Sequence, residues 1–210
     1  MNITQMAGEF DWTCYVFLTI NALWGLYCTI VVMRRLFQLR FRNEAEQTEY
    51  VQELENHLDS GDYETALAMC EGDQRALPQL AQMAIENRDM GYSKLRQLLA
   101  DHFQRDVLSD LEYRISWIVT VIKSGPLLGL YGTVLGMMAA FGRIGTGEKV
   151  RPDQIADEIS IALIATAMGL TTAIPFTFFV ASMNIRMRKL QDMVGLGLTR
   201  LLESFKAPVA

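Results

Sequence analysis

The side chains best placed to do chemistry in this chain are hydroxyls set in an apolar run. Ile159–Ile185, read as ISIALIATAMGLTTAIPFTFFVASMNI, holds 27 residues and no charge. It carries Ser160, Thr166, Thr171, Thr172, Thr177 and Ser182, and Pro175 sits inside it. On a helical wheel Ala162, Gly169, Ala173 and Thr177 fall on the side of Thr166, a stripe of small and hydroxyl residues opposite a bulkier apolar face. Lipid gives no reason for such a stripe; close helix packing or a wet, narrow path does. The same hydroxyls could also simply bond the carbonyls of their own helix. No nucleophile–base constellation, phosphate loop or metal-ligand cluster accompanies them, so neither an enzyme nor a metal centre is expected.

A second small-residue pattern precedes the first, in SGPLLGLYGTVLGMMAAFG over residues 124–142. Gly125 and Gly129 are four apart, as are Gly132 and Gly136, and Gly129, Thr133, Gly136 and Ala140 share one face. Small residues at that spacing let helix backbones approach closely. Pro126 removes one backbone bond and predicts a kink.

Half of the 210 residues are hydrophobic and a fifth are charged, but the apolar ones are gathered into three uncharged blocks. A helix over 159–185 reaches about 40 Å, against about 30 Å of hydrocarbon. The chain therefore reads as an all-α membrane protein of three transmembrane helices. The spans fall at 12–33, 116–142 and 159–185, with residues 1–11 outside, a helical cytoplasmic region at 34–115, an outside loop at 143–158 and a cytoplasmic C-terminal helix at 186–210. Arg34, Arg35, Arg40 and Arg42 follow the first span, and Arg186, Arg188 and Lys189 follow the third. The positive-inside rule places those flanks in the cytoplasm and the N-terminus outside. The N-terminus lacks a basic n-region and its apolar block is too long for a cleaved signal, so a retained first span is expected. Pro152 suits the first turn of the last long helix, which Asp153 and Asp157 favour electrostatically.

In the cytoplasmic region Tyr50, Leu54 and Leu58 recur at helical spacing before the break Ser60-Gly61-Asp62. Tyr63, Leu67 and Cys70 begin a second helix, and a third runs from about Leu77 to Arg88. A fourth runs from Tyr92 into the second span, with Leu95, Leu99, Phe103, Val107 and Leu111 apolar. These helices are expected to extend the spans and pack on neighbours rather than form a separate large domain. Residues 43–114 hold 16 acids and 6 Lys or Arg, a net of −10, which argues against nucleic acid and against docking flat on anionic lipid. Cys14, Cys28 and Cys70 show no metal spacing and read as packing residues.

The glycine-rich GPLLGLYGTVLGMM, the charged loop after it and IALIATAMGLTTAIPF resemble the MotA/TolQ/ExbB proton-channel family. GDYETALAMCE and RALPQLAQMAIEN resemble the helical cytoplasmic region of its TolQ/ExbB-like branch, so the likeness covers most of the chain. It implies a multi-pass protein of the bacterial inner membrane, a channel-forming stator subunit driven by the proton-motive force. It implies a homopentamer around two copies of a single-span partner of the ExbD/TolR/MotB type, whose membrane helix carries an aspartate. The second and third spans would line the pore, the first would face lipid, and the family's pore threonines fall on Thr133 and Thr166. No cofactor is implied beyond the transported proton. The short soluble part argues against the flagellar branch.

One position departs from the pattern. TolQ and ExbB members carry a glutamate in I-A-E-A-L-I-A-T-A, where this chain has Ile161 in ISIALIATA. The nearest carboxylate is Glu158, one turn earlier. Three readings follow: the partner's aspartate carries the proton alone, as in the MotA branch, which is favoured; Glu158 acts at the outer mouth; or the threonine hydroxyls ligate sodium. A non-conducting scaffold of the same fold is the alternative from another class.

Overall fold

The computed structural model describes residues 3–145 and 151–205, with side chains from Trp12 onward. The elements are α1 (Ile3–Leu39), α2 (Glu44–Asp59), α3 (Tyr63–Cys70), α4 (Ala76–Glu86), α5 (Tyr92–His102), a π-helical turn (Phe103–Leu108), α6 (Ser109–Gly145) and α7 (Pro152–Ser204). No strand occurs among the described residues. Three stretches are long and apolar enough to cross a membrane: Trp12–Leu39, Tyr92–Gly145 and Pro152–Ser204. The protein is an all-α membrane protein.

Within the stretch read as the outside loop, α6 continues to Gly145 and α7 begins at Pro152, the first-turn residue read from the sequence. Arg151 caps α7, with its N–H donating to Gln154 Oε1 at 3.2 Å, and Pro152 fills the first position, where no N–H is needed. Gly147 and Lys149, and the tail beyond residue 205, lie outside the described residues.

The chain divides into two compact units. The first joins Met1–Ile30 to Ile115–Ser182. Here Cys14, Leu18 and Ala165 are buried together, with Tyr15 and Leu128 packed on them. A Cβ added at Gly25 would lie 2.8 Å from both Phe176 and Val121, so α1 meets both other spans at a glycine. The opposite side of α1 exposes Trp12, Phe17, Leu23 and Tyr27.

The second unit joins Val31–Arg114 to Met183–Ala210. Its core includes Leu54, Leu77, Leu80, Ile85 and Leu99, all nearly inaccessible. The turns read from sequence are present: Asp62 caps α3 by accepting from the Thr65 N–H at 3.2 Å, and Gly61 and Gly72 take φ of 75° and 80°. The expectation that the short helices extend the spans holds for α5, which runs on into α6. It does not hold for α2 to α4, which pack on one another around apolar faces.

Arg75 fastens this unit. Its guanidinium lies 4.0 Å from the Phe41 ring centre and 5.6 Å from that of Tyr50, while it pairs with Asp73 at 2.5 Å and Glu46 at 3.0 Å. Burial pushes the Asp73 carboxyl up, but its hydrogen bonds and charge contact with Arg75 outweigh that and hold it below the ordinary range. Burial, then the contact with Cys70, pushes the Tyr50 phenol up.

The π turn has a cause in the sequence. Apolar residues from Leu95 to Leu111 recur every four positions, and strict fours drift round a helix of 3.6 residues per turn. One wider turn at 103–108 takes up the drift, so Leu95, Leu99, Val107 and Leu111 all stay buried.

Candidate functional site

The site lies in the first unit, where α6 and α7 pack through residues without side chains. A Cβ added at Gly129 would fall 2.7 Å from the Ala165 carbonyl oxygen and 2.8 Å from Thr166 Cα. One at Gly169 would lie 2.5 Å from the Gly125 oxygen, and one at Gly136 2.6 Å from Ala162 Cβ. At Gly132 it would meet Ala165 Cβ and Cys14 Sγ, each at 2.9 Å. Gly129, Gly132 and Gly136 thus lie against α7, where a side chain would meet its atoms. Pro175 does not join them: it is exposed, and the next residue, Phe176, turns against Gly25. Neighbouring helix positions point about 100° apart, so only one of the two can face inward.

Thr133 and Thr166 meet inside this seam. The Thr166 hydroxyl donates across it to the Gly129 carbonyl at 3.0 Å. The Thr133 hydroxyl donates to Leu130 O of its own helix at 2.7 Å, and the two Oγ atoms are 3.4 Å apart. That last contact is the longest of the three, and either hydroxyl can donate in it. Thr133 is buried and Thr166 half-buried. Thr171, Thr172 and Thr177 each bond the carbonyl four residues back in their own helix.

Ile161, at the family's glutamate position, is 46% exposed on the single chain, and its carbonyl accepts the Tyr15 hydroxyl at 2.9 Å. Glu158 is not gathered with the threonines; eight residues of helix put it about 12 Å from Thr166 along the axis. Its Oε1 pairs with Arg143 at 2.6 Å, while Oε2 is buried without a hydrogen-bond partner. Arg143, at the end of α6, thus draws Glu158 to the neighbouring helix.

Two polar groups escaped the sequence reading. Asn21 of α1 donates to Val121 O at 3.3 Å and accepts from Ser124 at 2.8 Å. An amide inside an uncharged span was the available signal, since lipid offers it no partner. Arg143 was counted only as a loop charge.

Close helix contact and paired hydroxyls in an apolar setting define this seam. Residues 73–194, more than half of the chain, match the model of the MotA/TolQ/ExbB proton channel family. The chain belongs to that family. It is 34% identical over 103 residues to the biopolymer transport protein ExbB of Aquifex aeolicus, covering 48% of this chain and 68% of that one. It is 34% identical over 88 residues to the Tol-Pal system protein TolQ of Haemophilus influenzae, covering 42% of this chain and 39% of that protein. The TolQ of Pseudomonas aeruginosa is 42% identical over 65 residues, covering 31% and 28%. The matches thus span less than half of either TolQ. The resemblance to this family read from the two span motifs, and to its TolQ/ExbB-like branch read from the cytoplasmic segments, is borne out by these relatives.

Proposed function

We propose that this chain is the channel-forming stator subunit of an inner-membrane motor. Ion flow under the proton-motive force would drive a single-span partner of the ExbD/TolR/MotB type and energise an envelope or transport process. The chain would work as a homopentamer around two partner copies. The observation that carries this reading is the Thr133–Thr166 pair, two oxygens 3.4 Å apart in an otherwise apolar seam. With Ile161 in place of a carboxylate, the chain contributes oxygen lone pairs and the partner's aspartate carries the proton. The energy scale suffices, because one charge crossing about 100 mV releases roughly 2.3 kcal/mol.

Two other readings rest on the same residues. Hydroxyl oxygens are also ligands for sodium. The loss of a titratable group at Ile161 favours a scaffold that keeps the fold without conducting. Vesicles holding this chain with its neighbouring single-span partner separate the three. The motor reading expects flux under a proton gradient, loss of flux when the partner's aspartate becomes asparagine, and retention in Glu158→Gln. Flux only under a sodium gradient supports the sodium-coupled form, and no flux in any co-assembled form leaves the scaffold.

A further inference from the structure

The second unit holds a feature that ion conduction does not use. Most of the basic residues that follow the first and third spans belong to this acid-rich unit, and some of them find carboxylates there. Arg35 lies 3.8 Å from Asp110, and Lys189 2.9 Å from Glu44. Arg40 and Arg186 carry no ion pair of this kind among the described residues. Both turn instead onto one exposed ring, their guanidinium carbons 5.0 Å and 5.8 Å from the centre of Phe37. Beside them Leu36 and Met183 are buried, while Met33 stays exposed along with Phe37.

Two guanidiniums on one ring carry like charge, and an anion near both would be attracted by both. Among the described residues no carboxylate pairs with either. The membrane supplies the missing charge. Arg186 directly follows the third span, and Arg40 lies seven residues past Met33, about 10 Å along the helix, which is headgroup depth. A planar guanidinium matches a phosphate with two parallel hydrogen bonds. The exposed Met33 on the membrane side suits the first carbons of an acyl chain.

We propose that Arg40, Phe37 and Arg186 form a binding site for the headgroup phosphate of an anionic phospholipid of the inner leaflet, with its acyl chain laid along the exposed Phe37 and Met33. The acidity of residues 43–114 disfavours flat docking of the whole unit, and this site answers it locally by placing unpaired cations at the bilayer edge.

The test is thermal unfolding of the full chain in detergent, titrated with dioleoylphosphatidylglycerol, dioleoylphosphatidylcholine or inorganic phosphate at fixed ionic strength. Phosphatidylglycerol is expected to raise the midpoint, and the other two to leave it unchanged. Arg40→Gln with Arg186→Gln should weaken the apparent lipid affinity about thirtyfold, at about 1 kcal/mol for each cation. Each single change should weaken it about fivefold, which keeps the test decisive if the double variant fails to fold. Arg34→Gln with Arg188→Gln removes the same charge from the same flanks and should stay near wild type. Equal loss in both double variants, or equal stabilisation by phosphatidylcholine, would overturn the site. Stabilisation by inorganic phosphate alone would make it a soluble-anion site and overturn it as a lipid site.

Discussion

Gly129→Ala tests the seam where it carries the Thr166 hydrogen bond. The new methyl would sit 2.7 Å from a backbone oxygen and 2.8 Å from a backbone carbon of α7, neither of which can swing aside. Ordinary contact begins near 3.5 Å, so the two helices must part by about 0.7 Å. The Thr166–Gly129 hydrogen bond, now 3.0 Å, would open to about 3.7 Å and cease to be one. Overpacking costs about 1–3 kcal/mol, and a membrane hydrogen bond contributes about 0.6–1.7 kcal/mol. Alanine's better helix propensity returns up to about 1 kcal/mol. The net expectation is a loss of about 2 kcal/mol, read by unfolding the full chain in detergent. Gly142→Ala is the control, because a Cβ there meets nothing within 4 Å; it should be neutral or stabilising by up to about 1 kcal/mol. Equal stability of Gly129→Ala and wild type, or equal damage in Gly142→Ala, would refute the close backbone approach.

Three further results are expected. Arg143→Gln and Glu158→Gln should show a coupling of about 1 kcal/mol in a double-mutant cycle, modest because the pair is partly exposed. Arg75→Leu should destabilise the second unit by about 2 kcal/mol, since it leaves Asp73 without its partner, and limited proteolysis between α2 and α4 would report it. The Asp73 carboxyl is depressed in the folded chain, so its stabilisation is full above the unfolded value near 4 and fades as pH falls through the lower folded value. The stability gap between wild type and Asp73→Asn, measured at pH 7, should therefore close in acid.

The parts of this fold that rest on local chemistry were readable. Gly61 and Gly72 broke the pattern where left-handed turns occur, and glycines at fours marked the packed face of α6. The stripe around Thr166 was visible too, but a periodicity says that a face is small and not what covers it. In the single chain α6 covers it, which favours the packing interpretation for Ala162, Gly169 and Ala173. Pairings between distant residues were not legible. Nothing in sequence spacing joins Arg143 to Glu158, or sets Arg75 between Phe41, Tyr50 and Asp73. The π turn was announced by strict four-residue spacing, a signal that a 3.6-residue template absorbs too easily.

The most direct measurement is proton flux through vesicles holding this chain with the single-span partner proposed for it, comparing wild type, Thr166→Ser and Thr166→Val. Valine keeps the shape and removes the oxygen; serine keeps the oxygen. If the facing hydroxyls are this chain's contribution to the ion path, Thr166→Val should lose roughly tenfold in rate, as about 1.4 kcal/mol on the barrier would give, and Thr166→Ser should conduct. Wild-type flux in Thr166→Val, with assembly intact, would contradict the assignment and leave the pair as helix packing alone.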